Sequence, residues 1–498
     1  MHRVDHIGSI VFENSLSRPA QSSLAIGMVA LAGLVGAAIP LYVGALGDGM
    51  SKLLAFPMII LLGFLFIFSR KILFLLIVLV RAPIDPFLEA TKISPFLSLG
   101  AVLNALIILI VALFVLERHR VLMRAALPIW GPLLLIALFS AARSPDPVAG
   151  IRTFLAFLSY AAVFTAPFYL SECQKDMRFC VYLVLLSSVV PALFGFVDFA
   201  HGGQGGDLAG RIQSTFSHPN IFAFYLVLVI SLAFYLIKSP VLRTPWQLRA
   251  ILTMYIAILL ALLILTKTRS AWAACFFVFL AYGIFFQRRY LVYLVLASGL
   301  AMLVPGIEER VMDALTSKSE FIQSNYMLNS YEWRKLLWES AWDWMQLKNM
   351  PFGYGLASFP FYSGDFFPIA NGIKWSAHSV YVQWFFEAGV VGVLGAVWLF
   401  ARLLALLREG IGYDRLGSIV VITVVIEYLV VSYSDNMLGY LAFNWYFWFV
   451  VGAACSIVVA KQMQQAKMID EPRDHGARHD LRARSTPSFP DSRQRDLP

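Results

Sequence analysis

Apolar stretches of roughly 20 residues, each long enough to cross the ~30 Å core of a bilayer as a helix, follow one another through most of this chain. In lipid every backbone amide must be satisfied within its own segment, so such a sequence folds as a helical bundle. Hydrophobic residues are 59% and charged ones 14% of the chain, unlike a soluble domain. The predicted fold is an all-α polytopic membrane protein with about 12–14 transmembrane helices. The spans are 24–45, 53–69, 72–88, 97–116, 128–142, 151–170, 179–198, 219–237, 249–266, 270–286, 290–305, 379–403, 416–434 and 440–460. In the third, the apolar run Ile72 to Val80 is bounded by Arg70-Lys71 and by Arg81, which fits a short tilted span or a re-entrant piece.

Lys and Arg favour the short loops on the cytoplasmic side. Loops after alternate spans carry Arg70, Lys71, Arg118, Arg120, Arg124, Lys175, Arg178, Lys238, Arg243, Arg249, Arg288, Arg289, Arg402, Arg408 and Arg415. The other short loops carry fewer: Lys52, Arg81, Lys92, Arg143, Arg152, Arg211, Lys267 and Arg269. The first set is therefore expected in the cytoplasm. The domain reading is a cytoplasmic segment 1–23, spans with short loops over 24–305, a large loop 306–378 on the opposite side, spans over 379–460 and a disordered cytoplasmic tail 461–498. The tail's Lys and Arg account for much of the +9 charge without a nucleic-acid partner. Residues 24–45 are long and lack a clear cleavage site, so they read as a retained span. Cys173, Cys180, Cys275 and Cys455 imply neither a disulfide framework nor a metal site.

Three arginine-bearing loops share the side opposite the tail: 200–220 with Arg211, the turn 266–270 with Arg269, and 306–378 with Arg334. A cation at the lip of a helix is expensive without an anionic partner. Each arginine alone could snorkel to lipid phosphate; three together point to a bound anion. His378, where the long loop re-enters the membrane, offers an imidazole that can take a proton from a hydroxyl. Within the loop, Trp333, Leu336, Leu337, Ala341 and Trp344 recur at three- and four-residue intervals, predicting a helix over about 329–347. Pro351-Phe-Gly-Tyr-Gly355 ends it. Tyr326, Tyr331, Tyr354, Tyr362 and Trp375 suit either sugar stacking or a membrane-interface belt. Glu387 lies nine residues beyond His378 and is a secondary candidate, to orient a neighbour or pair with an arginine. Glu427 is an ionisable group inside a span, and Asp435 reads as a solvated cap.

Arg211-Ile-Gln-Ser-Thr-Phe-Ser-His-Pro-Asn220, Thr266-Lys-Thr-Arg-Ser-Ala-Trp272, Glu332-Trp-Arg-Lys-Leu-Leu-Trp338, Pro351-Phe-Gly-Tyr-Gly-Leu-Ala-Ser-Phe359 and His378-Ser-Val-Tyr-Val-Gln-Trp-Phe-Phe-Glu-Ala-Gly389 occur in this order. Over roughly residues 200–400 they resemble the O-antigen ligase and polysaccharide polymerase superfamily. The resemblance implies a GT-C-like, inverting glycosyltransferase of a bacterial inner membrane, with its site facing the periplasm and no metal or other cofactor. It implies that Arg211 and Arg269, with Arg334 in the matching loop helix, hold the diphosphate of an undecaprenyl-diphosphate-linked oligosaccharide, while His378 acts on the acceptor. Ser379 departs from the family, where asparagine often follows the histidine. The acceptor glycan would be carrier-linked in a polymerase, or the lipid A core in an O-antigen ligase. Membrane lipid and a chain-length regulator are the further partners. A transporter or flippase is the competing class, but the sequence shows no convincing internal repeat and its polar residues gather at one surface.

Overall fold

The computed structural model describes residues 62–94, 97–203, 210–301, 330–370 and 372–470. The expected segment 1–23, the span 24–45, most of 53–69, residues 306–329 of the long loop with Tyr326, and the tail beyond Asp470 lie outside them. The described chain is an all-α polytopic membrane protein, with one short ribbon of β1 (Lys92–Ser94) and β2 (Leu97–Ser98). Eight of its helical runs are long and apolar enough to cross a bilayer, and Arg269–Phe285 and Arg289–Leu300 are shorter apolar helices.

The elements that frame the site are α1 (Arg70–Val80), α2 (Asp85–Ala90), α3 (Leu99–Glu117), α4 (Leu127–Ala142), α5 (Pro147–Thr165), α6 (Arg178–Ala200), α7 (Pro219–Lys238), α8 (Trp246–Leu265) and α9 (Arg269–Phe285). After α10 (Arg289–Ala301) come α11 (Ser330–Trp344), α12 (Ser358–Phe366), α13 (Val380–Glu409), α14 (Arg415–Val431) and α15 (Leu441–Asp470). The last helix runs on through Lys461 to Asp470, into the segment expected as tail. Helix starts carry their own signals: Asp146 caps α5 by accepting from the Ala149 amide, with Pro147 in the first position, and Asp414 caps α14 through Gly417. α7 is apolar all round and buried along almost its whole length, as expected of a helix at the bundle centre. It packs against α6, α8, α9, α14 and α15.

Inter-loop contacts divide the bundle into two ends. At one, Tyr169 donates to the Arg118 carbonyl, Arg178 to Leu242 and Arg415 to Phe285. At the other, Arg143 donates to Gly353, Arg211 to Thr266 and Asn220 to Asp435. The loops in these contacts lie at the two ends of the described bundle.

The third expected span is neither a short tilted helix nor a re-entrant piece. Arg70 pairs with Glu117 at one end of α3, and Leu88 lies against Gly100 at the other, so the segment runs the length of α3 in two pieces. Pro83 lacks an amide and its ring collides with the carbonyl four residues back, which ends α1. Arg81, counted above among loop residues, is instead buried in this break: it pairs with Asp85 and lies 5.5 Å from the Trp445 ring centroid. The freed backbone is satisfied from neighbours. The Ala82 amide donates to the Tyr446 hydroxyl, which donates in turn to the Val78 carbonyl, and the Thr215 hydroxyl donates to the Ala82 carbonyl.

The expected loop helix is present as α11. With α12 it builds a second apolar core of Leu337, Ala341, Met345, Phe359 and Phe366 against Phe386 of α13. Tyr354 and Tyr362 pack against Trp344 within this core, and Trp375 against Trp333. Tyr354, Tyr362 and Trp375 thus pack in a core of the loop, a role neither sugar stacking nor a membrane-interface belt anticipated.

Candidate active site

The loop carrying Arg211 dips into the bundle. Asp198, near the end of α6, accepts from the amides of Gln213 and Ser214, and the Ser214 hydroxyl reaches the Pro191 carbonyl, two turns down the same helix. Thr215 docks on the break at Ala82. So held, Arg211 is half-buried. Its Nε donates to the Thr266 carbonyl at 2.9 Å, and one terminal nitrogen donates to Asn220 Oδ1 at 2.7 Å and Thr268 Oγ1 at 2.9 Å. Two of the expected arginine loops are therefore joined through Arg211 itself. Arg269 opens α9 with an exposed side chain, between Thr268, which bonds Asn220 and Arg211, and Ser270, which donates to Asp435.

Asp435 is 3% exposed, which corrects its reading as a solvated cap. Its carboxylate accepts from Asn220 Nδ2 and the Tyr440 hydroxyl, both at 2.9 Å, and from Ser270 at 3.2 Å. Burial pushes its pKa up; the bond from Tyr440, the Arg334 guanidinium and the bonds from Asn220 and Ser270 oppose this. Asp435 is the anionic centre from which the network of Arg211, Asn220 and the start of α9 is organised. Sequence reasoning missed Asp435, Asn220 and Asp198. Asn220 closes the quoted Arg211–Asn220 segment and could have been found there, whereas Asp435 and Asp198 resemble ordinary polar helix ends.

The third arginine and the histidine share this end. Arg334 lies close enough to both Asp435 and His378 for its charge to act on each, and Trp333 beside it stands edge-on to the His378 ring at 5.7 Å. His378 has φ 49°, a left-handed conformation rare without glycine. It is held there from three sides. Trp338 Nε1 donates to the Ala377 carbonyl at 2.7 Å, Ser379 caps α13, and the Val380 amide donates to Ser432 at the end of α14. Ser214 (φ 56°) and Lys267 (φ 52°), in the other two loops, are also left-handed. Non-glycine residues so placed store strain that surrounding contacts must hold, and they gather at functional sites.

Burial pushes the His378 pKa down to about 4, helped by the charges of Arg334 and His218. His218 is likewise lowered to about 4 by burial and by Arg211, and its Nδ1 accepts from the Asn220 amide. Both imidazoles are therefore neutral near pH 7. A neutral imidazole beside guanidinium groups can accept a proton while the cations hold an anion.

Among the described residues, Glu387 forms no ion pair with an arginine. Its carboxylate accepts from Gln383 Nε2 at 3.0 Å. Gln383 Oε1 in turn accepts from Asn436 at 2.9 Å and faces the Ala377 amide at 3.4 Å. Glu387 is thus linked through Gln383 to Asn436.

Residues 254–397, from within α8 to the middle of α13, match the model of a protein family described as O-antigen ligase. This part of the chain is similar to the O-antigen ligase family. It contains Arg269, Arg334, His378 and Glu387; Arg211, Asn220 and Asp435 lie outside the matched residues and meet it in space. A search of curated proteins finds no match. At the family level, this match supports a membrane enzyme of the ligase and polymerase type.

Proposed function

We propose that the chain is an inverting, metal-independent glycosyltransferase that joins undecaprenyl-diphosphate-linked oligosaccharides into a surface polysaccharide at the periplasmic face of a bacterial inner membrane. The observation that carries this reading is the meeting of Arg211, Arg334, Asp435 and a neutral His378 at one end of the bundle, with Arg269 at the adjoining helix start.

In this reading the arginines take the carrier diphosphate. Arg211 is already fixed by Asn220, Thr268 and the Thr266 carbonyl, so its charge is oriented before the leaving group develops. The acceptor hydroxyl gives its proton to His378 as its oxygen attacks the anomeric carbon from the face opposite the diphosphate. The new glycosidic C–O bond forms, the bond to the diphosphate oxygen breaks, and the diphosphate leaves with the electron pair, inverting the centre. Guanidinium charge then does what a divalent cation does in many soluble glycosyltransferases.

The family description favours a second reading, in which the same chemistry moves a finished glycan to a lipid A core sugar. Purified protein in lipid nanodiscs, given a defined undecaprenyl-diphosphate oligosaccharide, should yield a ladder of lengthened products. A single transfer that requires lipid A core would establish the ligase reading instead. His378→Ala should make no product while eluting and folding as the parent does. Turnover should survive EDTA, and strict dependence on added metal would overturn the role given to the arginines.

A further inference from the structure

Two largely apolar clefts flank α14, the first also lined by Glu427, and each ends at residues that adjoin the site. One, of about 300 Å³, runs between α9 and α14 from Ser270 and Ser434 down to Ile284 and Phe285. At 1.5 Å per residue the α9 wall is about 22 Å long, most of an apolar membrane core. The other, of about 410 Å³, lies across α14, between α13, α4 and α5, and runs from Val380, Tyr381 and Ser432 to Leu404. Both open sideways, where large apolar side chains stand exposed: Val430 is 57% exposed in the first and Val397 59% in the second.

Their mouths stand two residues apart on the end of α14 but belong to different halves of the site. Ser434 precedes Asp435, which ties Ser270 and Asn220, and through Asn220 the guanidinium of Arg211. The Ser432 carbonyl accepts from the Val380 amide, two residues past His378. The α9 cleft therefore ends next to the anion-holding groups, and the α13 cleft next to the segment that carries His378.

We propose that α14 separates two isoprenoid chains, the tail of the glycan donor in the α9 cleft and the tail of a carrier-linked acceptor in the α13 cleft, so that both glycans reach His378 from the bilayer. This rests on the glycosyltransferase reading above and adds to it where each lipid lies. The polarity of each mouth sets the assignment: the leaving diphosphate must lie by Arg211 and Arg269, and the attacking hydroxyl by His378.

The test uses the unsubstituted protein in nanodiscs with an undecaprenyl-diphosphate oligosaccharide carrying a diazirine in its isoprenoid tail. After illumination, peptide mass spectrometry should find adducts on both α9 and α13. Adducts on α9 alone, or on neither helix, would overturn the proposal; the first pattern would leave acyl chains as the filling of the second cleft. Ala396→Trp, in the wall of the α13 cleft, should remove the α13 adducts, keep those on α9 and lower chain extension at least about tenfold. Ala273→Trp, in the α9 cleft, should do the reverse to the adducts. Should either variant fail to fold, the labelling of the parent still decides. A parent that forms no product from this substrate would instead count against the glycosyltransferase reading, because the adduct pattern is read without turnover.

Discussion

His378 has a base's availability rather than a base's strength. With its pKa held near 4 it is unprotonated across the neutral range, so proton transfer to it becomes favourable only late, as the acceptor oxygen bonds to carbon. The sign of the pH dependence follows. An ordinary histidine would lose activity as pH falls below about 6.5, whereas here kcat/KM should persist to about pH 4–5 before it falls. Arg334→Gln removes a charge that lowers this pKa, so it should move the acidic limb to higher pH. A parental limb near 6.5, or one that Arg334→Gln leaves in place, would argue against His378 as the base. Arg211→Lys tests the guanidinium itself. Three acceptors in three directions suit a planar fork and not an ammonium, so kcat/KM should drop about ten- to a hundredfold, or about 1.4–2.7 kcal/mol. Retention of parental kcat/KM would show that charge alone suffices. His378 and the arginines were legible because they stand in motifs whose order is distinctive. Asp435 was not, because a lone acid at a helix end looks solvated until Asn220 and Ser270 are brought to it from elsewhere in the chain.

The elements show why the loop motifs have the form they do. α13 reads in sequence as one uninterrupted apolar helix, yet Gly389 inside it has φ 67° and ψ −163°. The break frees backbone groups that Pro351-Phe-Gly-Tyr-Gly355 satisfies: the Val390 and Val391 amides donate to Met350 and Pro351, and the Tyr354 and Gly355 amides to Phe386 and Glu387. A Cβ on Gly389 would lie 2.5 Å from the Met350 carbonyl oxygen and the Phe352 amide nitrogen. Gly389→Ala should therefore destabilise the protein by about 2 kcal/mol or more, seen as a lower apparent Tm in detergent at fixed scan rate. An unchanged Tm would mean that the break is not held by this contact. The helix α11 was legible because its apolar residues keep a three- and four-residue rhythm. The break was not, because hydrophobic periodicity registers which residues are apolar and not where a helix changes direction. The Gly-Tyr-Gly and Glu-Ala-Gly pieces are two halves of one joint, separated by 32 positions between Gly355 and Glu387, and no local rule connects them.

At the scale of the whole bundle, the site rests on a defect in the membrane-spanning structure. A continuous helix over 72–88 would leave Thr215 of the Arg211 loop no free carbonyl on this segment, whereas the break at Arg81–Ile84 offers the Ala82 carbonyl that it takes. A break inside the apolar region survives only if its polar groups are paired, and the ion pair of Arg81 with Asp85, beneath Trp445, meets that condition. Such a pair need add little net stability, yet removing one partner strands a buried charge at a cost of about 3–5 kcal/mol. Arg81→Met should accordingly lower the apparent Tm sharply, and the double variant Arg81→Met, Asp85→Leu should recover most of the loss because no unpaired charge remains. Recovery of stability is not expected to restore turnover in full, since the pair also fixes the turn against which the Arg211 loop is seated. A double variant as unstable as the single one would place the cost in packing against Trp445. One with parental stability and parental kcat/KM would show that the loop finds its position without this support.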